Sequence, residues 1–369
     1  IDESRTKYAT AAWLQELGRL PRVFKQGGGP DLARARADRL AVDYLEARRR
    51  HFRIVFRQLL AALALQAVAS AGVLGIGGWL VIERQLTLGQ LVAAELIVTA
   101  IVASFARFAK YLETRYVRLA ALEKIGHVVD LPVEPARQGT APPASDGRGA
   151  RLALTGIAYA YEDGAPVLER LHLEVAPGER VLVCGPSGAG RSTLVDLVVG
   201  ARAPTEGRVE LDGADLGDLR RDVLRDRVAA VRGPDVVEGS VADNVAFGRA
   251  GVDAERVRQA LRDVDLLDVV ARLPDGLRTH LTPSGAPLSR GQATRLALAR
   301  ALAGRPSLLV IDRALDGFDP GVRARLLETL LNPSAPWTVL AMTDDPAVLA
   351  RGTRRLRLAG GRLEAEEHS

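Results

Sequence analysis

The chain is nearly devoid of cysteine and, past its first third, devoid of lysine. Cys184 stands alone, which excludes a disulfide framework and fits a reducing compartment. Lysine occurs only at Lys7, Lys25, Lys110 and Lys124, so the other basic residues are arginine, a bias that a GC-rich genome produces. No basic stripe interleaved with aromatics appears, and acidic residues are spread throughout. Nucleic acid is therefore not an expected partner. The first residue is Ile1, no signal peptide is visible, and the sequence reads as a fragment of something longer. What is there, 369 residues with a formal charge of +5, is enough for two domains with separate cores.

The first third carries long apolar runs. Gln58 to Ile82 contains no charged residue; as a helix it rises roughly 37 Å, enough to cross a hydrocarbon core with some tilt. After Glu83-Arg84-Gln85-Leu86-Thr87, a second apolar run covers Leu88 to Ala106, interrupted by Glu95. A buried hairpin of a soluble protein is the bland alternative, but the flanks argue against it. Arg48, Arg49, Arg50, Arg53 and Arg57 precede the first run, and Arg107, Lys110, Arg115, Arg118 and Lys124 follow the second, with only Arg84 between. That asymmetry predicts both ends in the cytoplasm and a short external link. Glu95 either faces water or a partner along a route, or lies close enough to the headgroups to snorkel. Upstream, Tyr8 to Phe24 has a helical pattern that stops at Gly27-Gly28-Gly29-Pro30. Asp31 to His51 is a charged, helix-favouring lead into the membrane.

Pro132 to Gly149 is rich in Pro, Gly, Ala and Ser and reads as a linker. Beyond it, apolar strands alternate with helical segments, as an α/β domain requires; Leu152 to Tyr161 and Arg208 to Leu211 read as strands and Ala254 to Leu273 as an amphipathic helix. Gly185-Pro186-Ser187-Gly188-Ala189-Gly190-Arg191-Ser192 is a phosphate-binding loop with arginine in place of its lysine. Such a loop wraps backbone N–H groups around phosphates, its cation reaches the β/γ-phosphates and its hydroxyl holds Mg²⁺. Arg180 to Cys184 reads as the strand entering it, and Ser192 to Val199 as the helix leaving it. Three pieces follow in order. Leu288-Ser289-Arg290-Gly291-Gln292 opens a long helix. Ser307 to Asp312 is an apolar strand ending in a carboxylate, the Walker B arrangement whose aspartate holds Mg²⁺. Thr338 to Met342 is another apolar strand, followed by Thr343-Asp344.

On these pieces the chain resembles the ATP-binding cassette transporters of the exporter type, whose membrane domain is fused ahead of the cassette. Leu288 to Gln292 is similar to the LSGGQ signature with one change, and Gly239-Ser240-Val241-Ala242-Asp243-Asn244-Val245 to the exporter stretch GTIRENI. Bacteriocin and type I secretion exporters offer a softer match over the second apolar run. The resemblance implies a partial α-helical membrane domain over 1–131, with a coupling segment at about 8–26 and membrane helices at about 54–82 and 88–110. It implies a linker over 132–149 and a P-loop α/β nucleotide-binding domain over 150–366. ATP would be bound by Tyr161 (stacking on adenine), Gly185, Pro186, Ser187, Gly188, Ala189, Gly190, Arg191, Ser192, Thr193, Arg232 and Asp312, with Mg²⁺ at Ser192 and Asp312. Leu288, Ser289, Arg290, Gly291 and Gln292 would serve the nucleotide of a second half-transporter, and Asp319 would be the D-loop aspartate. The implied setting is an inner (plasma) membrane crossed more than once, with the cassette in the cytoplasm and an unnamed cargo.

Four positions depart from that pattern. Arg191 replaces the loop lysine, Arg313 the glutamate that polarises the attacking water, Asp344 the switch histidine, and Arg232 the glutamine that senses Mg²⁺. Codon bias accounts for the first, but it does not give Glu→Arg or His→Asp. Arginine cannot accept a proton from water, and Asp344 adds negative charge where the transferring phosphoryl already carries it. Nucleotide binding with little hydrolysis is therefore expected. The replacements also predict an ion pair across the emptied catalytic position, either Arg313–Asp344 or Arg191–Asp344. An exporter subunit serving a competent partner, a heterodimer before a homodimer, is the leading expectation. A non-transporting pseudo-ATPase scaffold and a homodimeric exporter with working but unusual residues are its rivals.

Overall fold

The computed structural model describes residues 2–131, 147–161 and 164–365. Most of the expected linker, and residue 366 at the expected end of the nucleotide domain, lie outside these. The chain divides into two compact units, Ile1–Val133 and Glu134–Ser369.

In the first unit, α1 (Asp2–Arg19) and the short α2 (Pro21–Phe24) pack on α3 (Gly29–Ile82), which pairs with α4 (Leu88–Val129). The helix expected across Tyr8–Phe24 is broken at Leu20. Pro21 takes the first position of α2, and a residue before proline is driven out of helical geometry; Leu20 sits at φ −122°, ψ 45°. Trp13 anchors the fold-back. It is buried, meets Phe24 edge-on at 5.4 Å, and carries the Arg36 guanidinium 4.3 Å from its ring centroid. The charged lead and the first apolar run are one helix of 54 residues, because nothing between Pro30 and Ile82 interrupts the backbone pattern. It contains an 18-residue stretch apolar enough to cross a membrane, none of it buried inside the protein. Among the described residues α4 supplies a shorter apolar stretch, Leu88–Ile101. A capping box starts it: Gln90 N–H donates to Thr87 Oγ1 at 3.3 Å, and Thr87 N–H to Gln90 Oε1 at 2.8 Å. Gly77 is buried where the side chain of Leu91 crosses it, so the absence of a Cβ sets how closely α3 and α4 approach. Glu95 is half-buried, and its Oε2 has no hydrogen-bond partner among the described residues.

The second unit begins with β1 (Leu152–Ala160), β2 (Pro166–Val175), β3 (Arg180–Cys184), α5 (Arg191–Val198), β4 (Glu206–Leu211), β5 (Ala214–Asp215), α6 (Arg221–Arg227) and β6 (Val228–Val231). It continues through β7 (Gly239–Ser240), α7 (Val241–Ala246), α8 (Ala254–Asp263), α9 (Leu267–Ala271), β8 (His280–Leu281), α10 (Arg290–Ala303) and β9 (Leu308–Asp312). The last elements are α11 (Pro320–Leu330), β10 (Thr338–Met342), α12 (Pro346–Leu349), β11 (Arg354–Ala359) and β12 (Arg362–Ala365). The single helix expected over Ala254–Leu273 is in fact α8 and α9, separated where Asp265 takes a left-handed backbone of φ 55°.

Two sheets carry this unit. One has the order β2-β1-β4-β5 and is antiparallel; the other has the order β12-β11-β3-β10-β9-β6, parallel except for the β12 edge. The central parallel strands β3, β10 and β9 are buried at every residue and mostly apolar, because both of their faces are covered. Val181, Val183, Leu308, Val310, Leu340 and Met342 enter one core; Leu182, Leu309, Ile311, Val339 and Ala341 enter the other. This period-two division fixes the register, since a one-residue slip would exchange the two cores. The strand order decides the site. β10 lies between β3 and β9, with Met342 paired to Val183 on one side and to Asp312 on the other. The carboxyl ends of three strands therefore open side by side, where α/β sheets bind ligands.

Candidate functional site

The phosphate loop leaves β3 and runs into α5. Gly185 and Gly190 have φ of 152° and 98°; a Cβ at the first would collide with the Leu358 carbonyl and at the second with Leu168 and Val167. Both positions therefore require glycine. Pro186, Ser187 and Gly188 are exposed, Ala189 is half-buried, and Gly190 starts α5 as its N-cap. A helix N-terminus under an exposed glycine loop is a ready site for an anion.

Ser192 Oγ donates to Asp312 Oδ2 at 2.9 Å, joining the loop to the end of β9. Asp312 is 7% exposed, and its Oδ1 is buried with no hydrogen-bond partner among the described residues. A hydroxyl beside a carboxylate with an unused buried oxygen is a hard-oxygen donor set. Mg²⁺ binds through one or two such groups plus substrate phosphates, so these residues fit it. Bound there, Mg²⁺ would neutralise phosphate charge; Ser192 and Asp312 would hold it.

An ion pair occupies the other side of the site. Arg191, 6% exposed, donates from Nη1 to Asp344 Oδ1 at 2.6 Å, and the Gly185 N–H donates to the same oxygen at 3.3 Å. Of the two pairs expected across this position, the structure forms Arg191–Asp344; Arg313 instead leans on Asp316, with Nε 4.0 Å from the carboxylate. Burial pushes the Asp344 carboxyl up, but the bonds from Arg191 and Gly185 outweigh it and hold the carboxyl below its ordinary value. Arg313 is exposed and adopts a left-handed backbone, φ 56°, with its N–H donating to the Met342 carbonyl at 2.9 Å. Asp316 accepts from the Thr343 hydroxyl at 2.6 Å, and burial raises its carboxyl above the usual range. Arg232 is hydrogen-bonded to Asp196 on α5, which also takes Arg202 Nε at 3.0 Å.

Tyr161 follows β1. Its hydroxyl lies 3.1 Å from Thr193 Oγ1, Tyr159 meets its ring edge-on at 5.2 Å, and the Arg202 guanidinium stands 5.1 Å from the ring centroid. The signature segment is locally self-contained. Leu288 is buried, Ser289 caps α10 and accepts from the Gln292 N–H, Gln292 Oε1 accepts from the Ser289 N–H at 2.8 Å, and Arg290 is exposed. Gly291 sits against Phe318, and Asp319 is the exposed N-cap of α11. Among the described residues no hydrogen bond or ion pair joins Leu288–Gln292 to the phosphate loop.

The ABC transporter family matches residues 168–316, from β2 to just past the end of β9. A solved structure of a bacterial Atm1-family ABC exporter with ATP bound superposes with a TM-score of 0.85 at 26% identity, covering 98% of this chain and 63% of that one. The chain belongs to the ATP-binding cassette transporters of the exporter type.

Among curated relatives, the mycobactin import ATP-binding/permease protein IrtB of Mycolicibacterium smegmatis is 31% identical over 83% of this chain and 53% of its own length. The ATP-dependent lipid A-core flippase of Burkholderia orbicola is 32% identical over 84% of this chain and 51% of its own. The chain thus spans about half the length of these relatives. Within the cassette, Asp196, Arg202 and Asp316 were not singled out from sequence. Asp196 carried a usable signal: it lies one helical turn beyond Ser192, on the same face of α5. A cavity of about 650 Å³ elsewhere in the cassette is lined in part by Arg227, Arg256, Arg305 and Trp337. Arg256 there bonds the Leu302 and Ala303 carbonyls and terminates α10, which makes it a structural feature.

Proposed function

We propose that the chain is one subunit of an ATP-dependent membrane exporter. Its cassette holds an adenine nucleotide with Mg²⁺, offers Ser289, Gly291 and Gln292 to a partner cassette's nucleotide, and hydrolyses little at its own site. The first unit lies in an inner membrane as a hairpin with cytoplasmic ends, and the partner is a second half-transporter with a complete catalytic set. One observation carries this reading: the magnesium side, Ser192–Asp312, is kept, while the terminal-phosphate side is closed by Arg191–Asp344. A site that had lost all function would have no reason to retain one half in bonding geometry. Arg313 supplies no proton acceptor beside Asp312, so water is neither oriented nor activated there.

The test is phosphate release from membranes holding this chain alone and with its partner subunit, beside nucleotide binding to this chain. The expected result is binding in both preparations and turnover only with the partner. Turnover by this chain alone at rates on the order of 1 per second would overturn the reading.

A further inference from the structure

The Arg191–Asp344 contact bears on which nucleotide the site takes. The loop cation is the group that reaches β/γ-phosphates, and here it already donates to a carboxylate oxygen at 2.6 Å, with Gly185 N–H donating to the same oxygen. Arg191 is buried at the start of α5, so its guanidinium has little freedom to serve two anions in different places. Of the nearby cations, Arg313 leans on Asp316 and Arg232 bonds to Asp196. A diphosphate meets what the loop still offers: the glycine backbone, the α5 N-terminus, and Ser192 with Asp312 for Mg²⁺. A third phosphate must either take Arg191 from Asp344 or sit beside a carboxylate of like charge, and both disfavour it.

We propose that this cassette's own site selects a nucleoside diphosphate over a nucleoside triphosphate, with Asp344 as the residue that sets the preference. The inference rests on the phosphate loop being a nucleotide site, as put forward above. Asp344 is a selectivity residue rather than a catalytic one. It acts as a fixed anion that stands in for the terminal phosphate, and it keeps the pocket in a product-like state while the partner site turns over.

The experiment uses the full chain in lipid nanodiscs with Mg²⁺ and compares binding of ADP, ATP and a non-hydrolysable ATP analogue by calorimetry. ADP is expected to bind about tenfold more tightly than either triphosphate. Asp344→Asn keeps the side chain's shape, removes the charge, and is expected to tighten triphosphate binding until the preference is gone. Thermal protection of the unmodified chain by each nucleotide gives a second measure that needs no variant. Triphosphate binding as tight as ADP, or an Asn variant that shifts all three ligands equally, would sink this inference and leave the nucleotide site standing. No binding of any nucleotide to either form would remove both.

Discussion

On the proposed reading, an arginine and an aspartate stand where an incoming phosphate would meet a lysine and a histidine, and each of the four unusual residues finds its own answer. Arg191 and Asp344 satisfy each other, Arg232 bonds to Asp196, and Arg313 stays exposed near Asp316. Asp344 is 46% exposed, so solvent screens its pairing; a double-mutant cycle on Arg191 and Asp344 is expected to give a coupling of about 1 kcal/mol. The same cycle on Arg313 and Asp344 should give close to zero, and the reverse ranking would contradict the geometry. Because the Asp344 carboxyl is held low in the fold, it binds protons less readily there than in the unfolded chain. Its stabilisation is complete above the unfolded value of about 3.9 and is lost as the pH falls toward the folded one. Asp344→Asn should therefore show a smaller drop in Tm on acidification than the unmodified chain. Restoring the chemistry needs several changes together. Arg313→Glu alone should leave hydrolysis low, since Asp344 still crowds the terminal phosphate. Arg191→Lys, Arg313→Glu and Asp344→His combined should raise phosphate release in the presence of the partner.

At the scale of elements, the α/β unit was largely legible because its strands are short, apolar and punctuated, and its loop motifs are tied to strand ends. Arg180–Cys184, Leu308–Asp312 and Thr338–Met342 could be read directly. Which charge faces which could not, because Arg191 and Arg313 are both plausible partners for Asp344 until β10 is known to lie between β3 and β9. The break at Leu20 was missed although Pro21 announces it, since the apolar period runs on either side. The division of α8 from α9 had no such signal; Asp265 is an ordinary residue forced left-handed by the turn between two buried positions, Val264 and Leu266. Helix α10 is buried from Ala293 to Ala299 and again at Ala301–Ala303, which makes it the axis of the core on its side of the sheet. Leu298→Ala there is expected to cost about 2–5 kcal/mol, visible as a lower Tm with protein yield reduced. In the first unit, Gly77→Val would drive branched methyls into Leu91 and separate α3 from α4, so the chain in detergent should melt earlier than with Gly77→Ala.

For the whole molecule, the proposed function assigns the two halves of the cassette's chemistry to different nucleotides. On the proposed reading, the residues that would contact this chain's own nucleotide are altered around the third phosphate, while the signature segment keeps its helix cap through Ser289 and Gln292. Arg290 is the one change there, exposed and cationic, and it adds positive charge to a face that would meet a partner's triphosphate. If the assembly is asymmetric in this way, damage to the two faces must have unequal consequences. Gly291→Asp puts a carboxylate where the partner's phosphates would lie, so it should abolish ATP turnover by the paired complex, by about a hundredfold or more given the weight of such electrostatic contacts. Arg191→Ala strikes only this chain's own pocket and should change the same turnover severalfold at most. Phosphate release by co-reconstituted subunits measures both. A homodimer with two equivalent sites predicts instead that the two substitutions silence the complex alike, because every site would then need this chain's loop as much as its signature.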